Sequence, residues 1–434
     1  MTAPTPPTPD PDAPEDVTGT GKADPAAATG PNAATATTDA PRDGRGNPLR
    51  EILASSTLVT VLAVAAALVV AAVLIAAADP AVQRTAGYIF AKPADFFGAI
   101  ADAVGGAYTS LFRGAIVDPE AKSFERFIRP FTETMTAAVP LILAGLGLGI
   151  GFRAGLFNIG AQGQVLIGAA AAGFVGFTFQ LPAGLHLVAA AAAGVAAAAL
   201  WAGIAGLLKA RTGANEVIVT IMLNSIALLL VGYLLTTDAW TRGGSNNPIS
   251  PPIRPSATYP LLLGDGFRLH AGFLVAIAAA FAVWWLMERS TLGFKFRAVG
   301  ANDRAARTAG IKVTNIYVWV MLVAGGLAGL AGTAQVLGTE KVLQASTAGS
   351  IGFDAITVAL LGRSRPLGTV LAALLFGALR AGSPLMQSVS GTPIDIVQVV
   401  QALIVLLIAA PPLVRWIFRL PTPGLARSSK EVAA

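Results

Sequence analysis

The sequence has no cysteine and only two histidines among its 434 residues. The absence of cysteine excludes disulfide bonds, thiolate metal sites and a cysteine nucleophile. His186 and His270 are too few for a histidine-rich metal site. Charged residues are also scarce, at 12% of the chain, where soluble domains average roughly 25%. With 54% hydrophobic residues, the composition predicts a protein whose solvent is a lipid bilayer.

Sequence motifs for binding phosphate or hydrolysing a substrate are missing as well. Lys122 is the only lysine followed by Ser or Thr, and Ala121 stands where the phosphate-binding loop of ATPases requires glycine. Neither G-x-S-x-G nor H-E-x-x-H occurs. We therefore predict no catalytic, cofactor-binding or metal-binding residues, and any ATP that drives this protein is hydrolysed on another chain. The net charge of +6 is explained by basic residues that set the orientation of a membrane protein rather than by nucleic acid binding.

Long apolar runs recur along the chain and predict an all-α polytopic membrane protein. A helix of roughly 20 residues crosses the hydrocarbon core of a bilayer. About ten runs reach or approach that length, which gives an even number of crossings. The predicted spans are residues 57–78, 133–151, 163–181, 186–208, 216–236, 271–288, 314–336, 350–362, 366–380 and 394–411.

The segments outside the spans set the domain organisation. Residues 1–48 are rich in Pro, Ala, Thr, Gly and Asp and hold almost no large apolar side chains, so we expect a disordered tail. Residues 49–415 form the transmembrane domain, and residues 416–434 form a second tail. Most Lys and Arg residues of the short connections lie on the side of both ends, which predicts cytoplasmic termini. Residues 79–130 are weakly amphipathic and are expected at the outer interface.

Glycines interrupt the predicted helices in both halves of the chain. Glycine-broken helix pairs occur around residues 145–168 and again around residues 325–368. Two structurally related halves would produce this pattern, and so would the ordinary glycine enrichment of membrane helices. The fold class that we predict therefore includes broken or short helices, with two related halves as one explanation.

Three side-chain amides lie in the stretch GLFNIGAQGQ, between two apolar spans. Asn158 and Gln162 are four residues apart on one helical face, and Gln164 follows. An amide in hydrocarbon needs partners, so these groups must face protein or a watery cavity. The preceding glycines allow close helix packing and a break in the helix. Two interpretations remain open: the amides line a solute passage, or they join helices.

Other polar groups enter apolar spans in a similar way. Glu216, Thr220 and Asn224 recur at every fourth position on one face of a predicted helix. Asp354 begins the shortest span, and Gln398 lies in the last one. Most of these groups are amides and hydroxyls, with acids near the ends of the spans. This pattern suits a neutral polar solute better than a proton relay, which needs carboxylates deep in the membrane.

The most polar internal loop covers residues 289–313 and lies on the cytoplasmic side. Asn302 can cap a short helix that Gly310 ends. A helix here either docks into a groove of a partner or only connects two spans, and the residues leave both interpretations open. Its surface would place small residues beside basic ones, namely Ala305, Ala306 and Ala309 beside Arg304 and Arg307.

Three stretches carry a resemblance to a known family. They are AVPLILAGLGLGIGFRAGLFNIGAQGQVLIGA (138–169), TGANEVIVTIMLNSIA (212–227) and GFKFRAVGANDRAARTAGIKV (293–313). Together they resemble the inner-membrane permease subunits of bacterial ABC importers, in the group shared by branched-chain amino acid, simple-sugar and nucleoside systems. The likeness is strongest to guanosine-type nucleoside permeases and covers residues 50–415.

This resemblance implies an importer permease in the bacterial plasma (inner) membrane. It implies three partner proteins: an ABC ATPase subunit that holds the ATP, a second, homologous permease chain, and an extracytoplasmic substrate-binding lipoprotein. The implied solute is a nucleoside, then a simple sugar, then a branched-chain amino acid. An ion-coupled secondary transporter is the alternative from another class.

The resemblance also assigns candidate residues. The loop helix becomes a coupling helix that contacts the ATPase subunit, although Arg304 stands where the importer pattern E-A-A-x-x-x-G has glutamate. The coupling-helix residues are Arg297, Asn302, Arg304, Ala305, Ala306 and Gly310. The candidate translocation-path residues are Asn158, Gln162, Gln164, Asn224, Asp354 and Gln398.

Overall fold

The computed structural model describes residues 56–242 and 247–420. Within these residues the regular structure is helical and no strand forms. The helices are α1 (Ser56–Ala78), α2 (Pro80–Ala86), α3 (Pro93–Ala115), α4 (Phe124–Arg153), α5 (Ala161–Thr178), α6 (Leu185–Thr212), α7 (Glu216–Leu234), α8 (Gly272–Arg289), α9 (Thr291–Ala301), α10 (Asp303–Thr308), α11 (Val313–Thr333), α12 (Ile351–Leu361), α13 (Pro366–Ser390), α14 (Ile394–Ala409) and α15 (Pro411–Ile417). The predicted 1–48 tail and residues 421–434 lie outside the described residues.

The helices confirm the predicted class of an all-α polytopic membrane protein. In the described part of the chain, eight helices are long and apolar enough to cross a membrane, and two shorter apolar helices, α12 and α14, accompany them. Each of these ten helices coincides with one predicted span. The largest difference is in α13, which continues to Ser390 rather than ending at residue 380. Its internal Pro384 does not end the helix, because neighbouring groups in a bundle can satisfy the freed backbone.

The segment at 79–130, predicted as a long interfacial connection, contains α2, α3 and the start of α4. Asp79 caps α2 by accepting hydrogen bonds from the backbone N–H groups of Ala81 and Val82. The longer helix, α3, packs along the later part of α13, where a Cβ at Gly114 would lie 2.9 Å from the Cα of Gly382. Small residues on both helices therefore allow a close approach that hydropathy alone did not indicate.

Helix α4 lies at the centre of the bundle and packs against α8, α11, α12 and α13. Its glycines make these contacts close. A Cβ at Gly147 would lie 2.6 Å from the carbonyl oxygen of Ala324 on α11, and one at Gly145 would lie 2.9 Å from Cγ2 of Thr369 on α13. The glycine run that the sequence displayed is therefore a packing surface, as the four-residue spacing predicts.

Both predicted glycine-interrupted helix pairs are present. Helix α4 is followed by the non-helical residues 154–160 and then by α5. Helix α11 passes into a π-helix, Ala334–Glu340, and residues 341–350 then lead to α12. The two pairs meet where α5 and α12 begin, and this junction contains most of the polar groups that the sequence singled out.

Candidate functional site

A non-helical segment, residues 154–160, separates α4 from α5. Gly155 adopts φ +72°, a conformation that glycine tolerates best, and turns the chain at the end of α4. The N–H of Leu156 donates to the carbonyl of Gly151 at 2.9 Å and closes the end of that helix. Irregular backbone at membrane depth is tolerated only where protein or a watery cavity covers it. The amides of the stretch GLFNIGAQGQ supply that cover.

Asn158 and Gln164 form a reciprocal amide pair across the break. Each side-chain NH2 group donates to the other's carbonyl oxygen, at 3.1 Å in both directions. The N–H of Gly160 also donates to Oδ1 of Asn158, at 2.9 Å. Both side chains are only 1% exposed, so solvent does not compete with these bonds. The pair fixes the seven-residue break against the first turn of α5.

The polar stripe of α7 faces the same segment. Oδ1 of Asn224 accepts from the N–H of Gly163 at 2.8 Å, and its Nδ2 donates to the carbonyl of Ile159 at 2.9 Å. The hydroxyl of Thr220 accepts from the N–H of Ile159 at 3.3 Å. Glu216 begins the stripe and forms an ion pair with Lys209 at 2.5 Å. Side chains of the stripe therefore supply the hydrogen bonds that the backbone of the non-helical segment cannot form within a helix.

Gln162 joins the break to α12. Its Nε2 donates to the carbonyl of Gly349 at 2.6 Å, and its Oε1 accepts from the N–H of Gly352 at 2.8 Å. Gly352 has no room for a side chain, because a Cβ there would overlap the backbone of Gln162. The amide side chains of Asn158, Gln162, Gln164 and Asn224 are thus all engaged with protein groups.

Asp354 and Gln398, the other two candidates for the translocation path, line one open cavity. It lies between α12, α13 and α14 and has a volume of about 760 Å³. Oδ2 of Asp354 accepts from the hydroxyl of Ser350 at 2.8 Å. Arg380 and Gln401 add further polar groups to the wall. This cavity is separate from the amide network but adjoins it, since Gly349 and Ser350 are neighbours in the chain.

The loop predicted at 289–313 folds into α9 and α10. Oδ1 of Asn302 accepts from the N–H groups of Arg304 and Ala305, at 3.0 Å each, and caps α10 as the sequence predicts. Gly310 follows the helix with φ +81°. Ala305 is exposed, whereas Ala306 is buried at 4% exposure against the chain itself. Only part of the predicted small-residue surface is therefore free to contact another molecule.

An ion-pair cluster ties this loop to the end of α4. Glu288 bonds Arg153 through one carboxylate oxygen at 2.7 Å and Arg297 through the other at 2.8 Å. Arg297, predicted as part of the coupling surface, is thus paired with Glu288 at the end of α8. A Cβ at Gly300 would lie 2.9 Å from the Cα of Ala154, so α9 also contacts the non-helical segment directly. The 289–313 loop and the amide network share this boundary.

His270 is a buried titratable group in the connection between α7 and α8. Its Nδ1 accepts from the N–H of Gly272 at 3.2 Å, and Nε2 lies 3.3 Å from the hydroxyl of Thr339. Burial, and then the nearby charges of Arg268 and Lys341, lower the pKa of His270 to about 4. The ring is neutral at physiological pH, and it contributes structure rather than charge.

Two residues of this site, Arg380 and Glu288, were not among the sequence-based candidates. Arg380 was the last residue of a predicted span, and the continuation of α13 to Ser390 places it inside the helix. Its lone charge in an apolar run was the signal that marks functional sites in membranes. Glu288 carried no comparable signal, because its ion pairs with Arg153 and Arg297 join segments distant in sequence.

Residues 131–409 match the profile of a family described as the permease component of branched-chain amino acid transport systems. The chain is 41% identical over 286 residues to a guanosine ABC transporter permease of Bacillus subtilis, which covers 66% of this chain and 82% of that protein. It is 40% identical over 285 residues to a glucose ABC transporter permease of Haloferax volcanii (63% and 74% covered).

A third relative is a nucleoside ABC transporter permease of Lactococcus lactis, 35% identical over 295 residues, with 65% of this chain and 79% of that protein covered. No solved structure gives a significant match.

Proposed function

Because the chain belongs to the family of ABC transporter permeases whose profile it matches, we propose that it forms the translocation path of an ATP-driven importer for nucleosides. As a permease it is a transport subunit and not an enzyme, and it is a multi-pass protein of the plasma membrane. It works in an ABC system with an ATPase and a substrate-binding partner. Family membership also sets aside the ion-coupled secondary transporter.

The nucleoside assignment rests on identity to relatives of known solute. Two of the three relatives named above transport guanosine or nucleosides. The polar wall of the cavity, with two glutamines, one carboxylate and one guanidinium, supports a solute rich in hydrogen-bonding groups. The second candidate is a simple sugar, which the 40% identity to a glucose permease favours.

We propose that the amides of GLFNIGAQGQ hold the helices that shape the path rather than contacting the solute. Gln162 supports this division, because both ends of its amide are bonded to the backbone before and within α12. Asp354 and Gln398 lie on the cavity wall and are the candidates for solute contact. Both groups of residues are needed for transport, the first through position and the second through binding.

We propose that α10 docks on the ATPase subunit as the coupling helix. Ala305, Arg304 and Arg307 are exposed on it, so its outer surface is small and basic. The Glu288 cluster and the Gly300 contact connect the loop to the break after α4. Movement of the ATPase then reaches the amide network without passing through a flexible linker. A second permease chain and a substrate-binding lipoprotein complete the assembly, with both termini of this chain cytoplasmic.

The test of the solute is uptake by cells. A strain lacking this permease gene is compared with the same strain carrying the gene, using labelled guanosine and competing unlabelled solutes. We expect the gene to restore guanosine uptake, with uridine and inosine competing and glucose and leucine not competing. Competition by glucose but not by other nucleosides would favour the sugar importer and contradict the nucleoside assignment.

A further inference from the structure

The cavity between α12, α13 and α14 holds opposite charges inside a bundle of apolar helices. Asp354 and Arg380 both line it, and the positive charge of Arg380 acts on the carboxylate. Asp354 retains acceptor capacity beyond its single bond from Ser350. Within the described residues, no hydrogen bond or ion pair occupies the five donors of the Arg380 guanidinium.

Lipid does not fill such a cavity. An arginine or aspartate that faces hydrocarbon is strongly unfavourable, so intramembrane charges face water, protein or a ligand. Ligand pockets have volumes of roughly 300–1,000 Å³. The volume of about 760 Å³ lies within that range and accommodates a solute of the size of a nucleoside.

We propose that Asp354 and Arg380 recognise one edge of a nucleobase, an N–H donor next to a carbonyl acceptor. A carboxylate accepts from the N–H, and a guanidinium donates to the carbonyl. Guanine, hypoxanthine and uracil present this edge. Adenine and cytosine present an unprotonated ring nitrogen next to an amino group, which reverses the pattern. In the same orientation the carboxylate would face an acceptor nitrogen, and the guanidinium would face an amino donor. This inference rests on the proposed nucleoside transport.

The remaining wall fits the other parts of a nucleoside. Phe353 is 50% exposed and lines the same cavity, so its ring is available to stack on a flat base. Gln398 and Gln401 stand one turn apart on α14 and offer both donors and acceptors to sugar hydroxyls.

A second polar cavity adjoins the first at Arg380. Arg380 and Pro384 line both. The second cavity has a volume of about 450 Å³ and includes Arg129, Glu133 and Arg268 in its wall. Arg380 therefore lies in the wall of both cavities, where it can contact a solute in either one.

Selectivity of uptake tests the inference. The complete transporter, with its ATPase and binding protein, is reconstituted in vesicles, and ATP-driven uptake of guanosine and adenosine is measured for wild type, Asp354→Asn and Arg380→Gln. We expect the guanosine-to-adenosine uptake ratio to fall about tenfold or more in each variant, the loss for one charge-assisted hydrogen bond. Asp395→Asn is the matched control, because Asp395 is exposed on α14 outside the cavity wall.

A guanosine-to-adenosine uptake ratio that is unchanged in both variants, even where uptake of both nucleosides falls equally, would overturn the inference while leaving nucleoside transport intact. A wild-type transporter that moves no nucleoside would instead overturn the proposed function, and the inference with it. The ratio is taken within each variant, so differences in the amount of folded protein cancel.

A second measurement does not depend on charged-residue variants that misfold. The chain contains no cysteine, so Gln401→Cys introduces its only thiol. We expect guanosine to slow the reaction of this thiol with a water-soluble methanethiosulfonate reagent, and adenosine to slow it less. Asp395→Cys on the same helix is the control and should react at the same rate with or without guanosine. Failure of guanosine to protect position 401 would count against binding in this cavity.

Discussion

Replacing Gln162 by leucine removes the link between the broken helix and α12. The variant loses two hydrogen bonds, from Nε2 to Gly349 and from the N–H of Gly352 to Oε1. Interhelical hydrogen bonds in membrane proteins contribute about 0.6 kcal/mol on average and about 1.7 kcal/mol at most. Leaving backbone groups buried without partners costs about 1–3 kcal/mol each by mutational estimates. We expect a destabilisation of about 1–3 kcal/mol in total, because part of the site can still reach water.

The assay measures thermal unfolding of the detergent-purified protein together with uptake per inserted molecule. Gln180→Leu is the control, because Gln180 is exposed beyond the end of α5. Gln162→Glu should be intermediate, since a carboxylate can still accept from Gly352 but cannot donate to Gly349. We expect Gln162→Leu to lower both the thermal midpoint and uptake. A variant that unfolds and transports as wild type would refute the role of this amide, whereas a lower midpoint with normal uptake would limit it to stability.

Three further outcomes follow from the described contacts. Ala305→Glu should abolish ATP-driven uptake without reducing the amount of protein in the membrane, because Ala305 is exposed. Ala306→Glu should reduce the yield of folded protein, because Ala306 is buried. Normal uptake by Ala305→Glu would contradict docking of α10 on the ATPase. The unfolded chain protonates His270 more readily than the folded one, so the stability it contributes should be complete above about pH 6.5 and fall by roughly 3 kcal/mol between that pH and its folded pKa of about 4. His270→Gln should lack that decline in thermal melts. Asn158→Leu and Gln164→Leu should each lower the free energy of unfolding by more than half of the loss in the double variant, because either substitution removes the reciprocal bonds of its buried partner. Strict additivity of the two losses in a double-mutant cycle would contradict the pairing.

The helical architecture was predictable because hydropathy and helix length are local properties. All ten predicted spans correspond to helices, and the cap of Asn302 on α10 follows from a short-range pattern. The structure of residues 79–130 was harder to predict, because α3 is stabilised by close packing of small residues such as Gly114 against Gly382. Contacts of that kind join segments far apart in sequence, and composition does not reveal them.

The polar groups of the candidate site were identifiable as residue types, but their grouping was not. The sequence placed Asn158, Gln162, Gln164 and Asn224 in one class with Asp354 and Gln398. The structure separates them, because the four amides bond to protein while the other two line a cavity. Which polar group meets a backbone carbonyl and which meets open space depends on the positions of three or four helices at once.

ATP-dependence of guanosine uptake tests whether this chain is the permease of an ATP-driven importer. The permease is reconstituted in vesicles with its partner permease, its ATPase and its binding protein, and labelled guanosine is offered on the side of the binding protein. We expect uptake that requires ATP at the ATPase, that stops when the ATPase is omitted, and that does not respond to a proton or sodium gradient. Uptake by the permease alone, driven by an ion gradient without ATP, would contradict it.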